Sequence, residues 1–369
     1  IVGTLIGLLL PAFALAITHL VFDKDAYLIT TAVFGVKSTN VQLKGDYNLY
    51  VTSAEPQNYW RQIKIDQLPD GGGPAIPQKT LEDFYHYVDG NNRLQPTPLS
   101  NTKITITDQS LAPGNAVLLF VSKNKDKTPV FDASKGAMTV TADSKWIFSV
   151  KAITFLNAQP YFTLSNFQIG AAADIAVYAS PYHLADTHNY DALIDITHKE
   201  YAKNSFVAII GPIATVTMEK LDIKKASFSV SSDNTNWFNA SFVPGSQLSI
   251  SSPGFMSTSL SVTLPHFFPY NRLVGHWTST RDSAITYDIR IPGAINGFNF
   301  QSLSGGGVST TNNGATQKNV KTTAKEFKLD YGSANTDSRF LIQIISGGNT
   351  LTTGIATLML SWLAFSIRQ

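Results

Sequence analysis

From Tyr27 onward the apolar residues of this chain recur at a period near two, in short runs, and that periodicity leaves little room for any fold but stacked sheets. In the first half the runs lie at 27–36, 47–52, 103–106, 116–122, 138–141, 146–155 and 175–179. In the second they lie at 205–210, 214–218, 226–230, 247–251, 259–263, 284–291, 326–329, 340–345 and 357–366. Turn-forming clusters separate them, among them DGGGP at 70–74, APGN at 112–115, ADSK at 142–145 and SDNTN at 232–236. Strands so spaced predict a mainly β chain of one or two antiparallel sandwiches, Ig-like or jelly-roll, with domains at 23–183 and 184–369. The polar stretch 181–201 marks the boundary, and 70–77 and 305–323 read as long flexible loops. One body segment has a helix signature: Thr80 as cap, Glu82 and Asp83 in the first turn, then Phe84, Tyr85, Tyr87 and Val88 before Gly90. No repeat of fixed period stands out.

Residues 1–22 break this pattern, since no charged side chain precedes Asp23. As an α-helix the segment would span ~33 Å, about one hydrocarbon core. A helix apolar on every side needs lipid, sister helices or a partner to hide it. Pro11 would kink it, and Gly3 and Gly7 form a small-xxx-small pair that lets a second helix approach, with Leu8 inside the buried stretch. Alternatively the segment is extended and adds as a strand to a neighbouring subunit. Near the other end, 358–367 is continuously apolar around Trp362; such a strand is central to a sandwich or, at an edge, available to a subunit contact.

The string IVGTLIGLLL followed by Ala-rich apolar sequence resembles the N-terminus of archaeal type IV pilins and archaellins. The likeness covers about the first twenty residues, and Leu5 stands where bacterial pilins carry a Glu. It implies a filament subunit cleaved ahead of its apolar segment, held in the membrane during biogenesis and later buried in the filament core. Gly3, Gly7, Leu8 and Pro11, with Trp362 in the body, are then the assembly residues.

Composition narrows the function further. Charged residues make up 15% of the chain and the net charge is +2 with no block of like charges, so nucleic acid is not an expected partner. With no cysteine, disulfides, thiolate metal sites and thiol catalysis are excluded. The densest polar cluster, PYHLADTHNYDALIDITHKEY, offers His183, Asp186 and His188 as metal ligands, with Asp191, Asp195, His198 and Glu200 nearby. Its spacing matches neither HExxH nor an EF-hand loop, and a solvated linker collects the same residues. Gly71–Gly73 and Gly305–Gly307 lack the partners of a phosphate cradle, and no nucleophile elbow is present. The aromatic cluster at 266–270, with Trp277, fits packing or an interface better than a sugar site. Asn239-Ala-Ser241 is a glycosylation sequon, in keeping with an exterior location.

No catalytic set and no cofactor are therefore expected. The leading expectation is a self-assembling extracellular filament subunit, with its own copies and the membrane as partners. A virion coat protein of jelly-roll domains is the alternative, and a membrane-anchored binding module the third.

Overall fold

The computed structural model describes residues 18–30, 38–69, 76–100, 102–109, 116–141, 152–159, 162–168, 174–178, 194–196, 205–209, 211–219, 227–232, 241–242, 247–251, 260–263, 273–279, 285–290, 298–302, 309–311, 316–322, 326–331 and 341–346. Nine strands build the first unit: β1 (Thr18–Phe22), β2 (Ala26–Thr30), β3 (Ser38–Leu43), β4 (Asp46–Ser53), β5 (Ile63–Pro69), β6 (Lys79–Thr80), β7 (Thr97–Ser100), β8 (Thr102–Asp108) and β9 (Ala116–Ser122). One sheet runs β1-β3-β8-β5-β6 and the other β2-β9-β4-β7. Alternation explains the layering, because β3 buries every second residue and so turns Val41 and Leu43 inward. Ile63, Ile65, Ile104 and Ile106 join them from the first sheet, facing Tyr27, Ile29, Leu49, Val51, Leu118 and Phe120 of the second in one core. Strand β9, AVLLFVS, is buried on both faces, since Val117, Leu119 and Val121 belong to a second apolar cluster behind the sheet.

The second unit repeats this plan with β10 (Val130–Asp132), β11 (Met138–Thr141), β12 (Ala152–Leu156), β13 (Phe162–Gln168), β14 (Asp174–Tyr178), β15 (Ile194–Ile196), β16 (Phe206–Ile209), β17 (Ile213–Glu219) and β18 (Ser227–Ser231). Its sheets run β10-β12-β17-β14-β15 and β11-β18-β13-β16, the same order strand for strand. Phe131, Phe155, Phe167 and Phe228 fill its core. The third unit repeats it again with β19 (Ser241–Phe242), β20 (Gln247–Ser251), β22 (Leu273–Ser279), β23 (Ile285–Arg290), β24 (Phe298–Ser302), β25 (Ser309–Thr311), β26 (Thr316–Thr322), β27 (Glu326–Tyr331) and β28 (Leu341–Ser346). Here the sheets are β19-β22-β27-β24-β25 and β20-β28-β23-β26. One extra strand, β21 (Leu260–Thr263), leaves the third unit and pairs in parallel with β2 of the first.

Two joints are made edge to edge. β16 pairs in parallel with β20, Phe206 opposite Leu248, and so fuses the second sheets of units two and three into one eight-stranded sheet. The β21–β2 pairing closes the third unit onto the first.

Several expectations change. Residues 18–22 form a strand rather than the end of an apolar helix: β1 pairs in parallel with β3, and Phe22 is 2% exposed inside its own sandwich. The ladder to Thr39–Leu43 supplies backbone partners that a helix would have supplied internally. The boundary at 183/184 would cut one sandwich in two, because β14 pairs with both β15 and β17 across it. The stretch 305–323 is not one long loop: β25 and β26 both lie in it, as edge strands whose polar sequence needs no apolar alternation. The helix after Thr80 shortens to one 3₁₀ turn, Leu81–Phe84, and the chain beyond it bridges Tyr87 to Leu94. Asp83 still caps it, accepting from the Thr80 N–H at 2.7 Å. The threefold recurrence of strand order is a repeat that no residue period revealed. Among the described residues no helix is long and apolar enough to cross a membrane.

Candidate functional site

The densest polar chemistry among the described side chains lies where the second unit docks behind the first. Strand β10 begins directly after a turn that is itself pinned: Asn48 and Tyr50 on β4 donate to Oδ2 of Asp126 at 2.5 and 2.8 Å. Burial raises the Asp126 carboxyl above the ordinary carboxylate range, against the two donors that lower it. Burial, with the Asp126 charge beside it, likewise pushes the Tyr50 phenol well up. Below them an apolar seam joins Ala26, Leu28, Tyr50, Leu119 and Val121 of the first unit to Val130, Leu156, Ala158 and Ile213 of the second.

Beside this seam sits Asp132, wholly buried at the end of β10. Its Oδ1 accepts from Thr52 Oγ1 at 2.6 Å and from the Ser134 N–H at 2.8 Å. Its Oδ2 accepts from the hydroxyls of Tyr85 and Tyr87 at 2.7 and 2.9 Å. The two phenol oxygens also lie against each other, and burial followed by the Asp132 charge raises both far above the ordinary tyrosine range. Ser134 extends the network by accepting from the Ala158 N–H at 2.7 Å. Lys135 donates to the Ser53 carbonyl at 3.2 Å and lies over the rings of Trp60 and Tyr85, 5.3 and 5.4 Å from their centroids. Trp60 is held in turn at the end of the short helix α1 (Gln57–Trp60), its indole N–H donating to the Glu55 carbonyl at 2.8 Å.

Chemically this is a latch. Each oxygen of Asp132 already takes two donors, so no lone pair is left to accept a proton from a substrate. Thr52, Tyr85 and Tyr87 come from the first unit and Asp132, Ser134 and Lys135 from the second, so the network fastens one sandwich to the other.

Gly3, Gly7, Leu8, Pro11, His183, Asp186, His188 and Trp362 fall outside the described residues, as do 266–270. Trp277 lies on β22 at a register position opposite Phe327 of β27. Among the described residues no group of three or more His, Asp or Glu is placed to hold a metal. The latch was missed, although it had a signal. Val21-Phe22-Asp23 and Val130-Phe131-Asp132 are the same tripeptide at the ends of equivalent strands. In each the Phe enters the core, Phe22 stacking on Tyr27 at 3.9 Å and Phe131 lying 6.0 Å from Phe155. Asp23 at the exposed copy accepts from Tyr27 at 2.6 Å, whereas its counterpart is buried in the joint.

Comparison with known proteins adds little. No family model matches the chain, and no curated protein matches it significantly. Among solved structures, the CUB1-EGF-CUB2 domains of rat MASP-1 align at 6% identity and a TM-score of 0.21, covering 58% of this chain and 99% of that one. The same region of human MASP-1/3 aligns at 7% identity and 0.22, covering 58% and 100%. A structure of the infectious bursal disease virus Gt strain aligns at 9% identity and 0.12, covering 85% and 73%. Likenesses at such TM-scores carry no argument about this chain.

Proposed function

We propose that the chain is a non-enzymatic structural subunit of a self-assembling exterior array, built from three jelly-roll units in tandem. The observation that carries this is the strand order: second-ninth-fourth-seventh against third-eighth-fifth-sixth is the B-I-D-G and C-H-E-F order of a jelly roll, and it occurs three times. A first strand is added beside the third in every copy, always in parallel. Fold alone does not specify function. The added support is that the units are welded by shared sheets, a buried apolar seam and the Asp132 latch, which suits a load-bearing block better than a hinged receptor.

Two forms of array are in play, each on the outside of a cell or virion. The jelly-roll order favours a shell of the coat-protein kind. The pilin-like head favours a filament, with residues 1–17 left for burial in lipid or in a core once β1 is assigned to the body. Negative-stain microscopy of purified chain tests the proposal: shells or rods support it, and monodisperse monomers at every concentration overturn it. Leu8→Asp separates the forms, because a charge in an apolar core costs about 2.5–3.5 kcal/mol. Loss of assembly with an intact β body points to the filament, and unchanged assembly to the shell.

A further inference from the structure

The eight-stranded sheet has two unlike ends. It opens with β11, the second strand of its unit, and finishes with β26, the seventh strand of the next. Its internal seam, β16 against β20, is itself a seventh strand paired in parallel with a second strand. Among the described residues, the two ends of the sheet are thus the two halves of the joint it already contains in its middle. Of the three equivalent second strands, β2 is covered by β21 and β20 by β16, both in parallel. Among the described residues β11 pairs with β18 alone, and β26 with β23 alone.

We propose that β26 of one copy adds in parallel to β11 of the next, so that the sheet continues from copy to copy through the seam it uses internally. This rests on the self-assembling reading above and names the surface that assembles.

The chemistry of the two edges suits this pair. β7 carries Pro98, which has no N–H to give, a usual blunting of an edge. β26 carries Lys318 and Lys321, so two β26 edges would set like charges in opposition. β11, Met-Thr-Val-Thr, has neither charge nor proline and is the complement such an edge can accept. Pairing two different edges is heterologous, which yields an open chain or a closed ring rather than a twofold dimer.

The test uses the full chain. Thr139 is exposed on β11, so Thr139→Lys adds charge at the edge without disturbing the core. Sedimentation velocity of the wild type is expected to show association rising with concentration, and the lysine variant, with an unchanged melting temperature, is expected to lose at least tenfold in association. Mixing it with a Lys318→Glu, Lys321→Glu variant is expected to restore association, since opposite charges then face each other. If the lysine variant assembles as the wild type does, or the charge swap fails to rescue, this seam is wrong while assembly itself stands. If the wild type stays monomeric throughout, the self-assembling reading fails and the seam with it.

Discussion

Tyr47 and Asp132 show how a chain with few charges uses the ones it has. Both sit where a polar atom is buried with a dedicated partner: the Tyr47 hydroxyl donates to the Lys24 carbonyl at 2.7 Å, and Asp132 gathers four donors. Burial pushes the Tyr47 phenol up to about 12, with Tyr27, Asp23 and Asp25 adding to the shift. A folded value above the unfolded one, about 10, means stabilisation that is complete below pH ~10 and lost as pH climbs through about 12. Tyr27, Tyr50, Tyr85 and Tyr87 are raised as well, so alkaline unfolding is expected to be steep. Urea denaturation across that window should show a shallower loss in Tyr47→Phe, the remaining slope belonging to the other four phenols; an identical slope in both proteins would contradict the assignment.

Strand β1 is the element where sequence and structure part most clearly. Thr18-His-Leu-Val-Phe22 continues an apolar segment that reads as a helix, yet in the fold it is a strand with Val21 half exposed and Phe22 sealed in the core. Apolarity states that a residue must be hidden and not which backbone hides it; the free edge of β3 decided that here. A chain starting at Thr18 is therefore expected to keep the melting temperature of the first sandwich. One starting at Asp23 loses β1 with the buried phenyl ring of Phe22, a loss of about 3–5 kcal/mol by analogy with Phe→Ala in cores. Circular dichroism melts of the two truncations check this, and equal stability would place Phe22 outside the core. Runs such as 116–122, 138–141 and 247–251 were legible because both their alternation and their flanking turns are local. β26, Thr-Gln-Lys-Asn-Val-Lys-Thr, was not, since an edge strand is specified by the neighbour that accepts its hydrogen bonds.

For the molecule as a whole, the joints matter more than the units. Asp132→Asn keeps the shape of the latch but turns one acceptor into a donor, leaving either the two tyrosines or the Thr52–Ser134 pair facing an N–H. A buried donor without a partner costs about 1–3 kcal/mol, so calorimetry is expected to show the shared transition of the first two units fall in temperature and split. A single unshifted transition would show that the apolar seam alone couples them. By itself the sequence determined the β class, the short strands, the absence of cysteine chemistry and the need to hide the apolar head, because these follow from composition and from periods of a few residues. Only the tertiary structure decided that the order recurs three times, that β14 and β15 pair within one sandwich, and that Asp132 meets Tyr85 and Tyr87. Equivalent strands such as TKITITD, IATVTME and EFKLDY share alternation and almost nothing else. What makes them equivalent is which neighbours they bond, and pairings between distant residues leave no local trace in the chain.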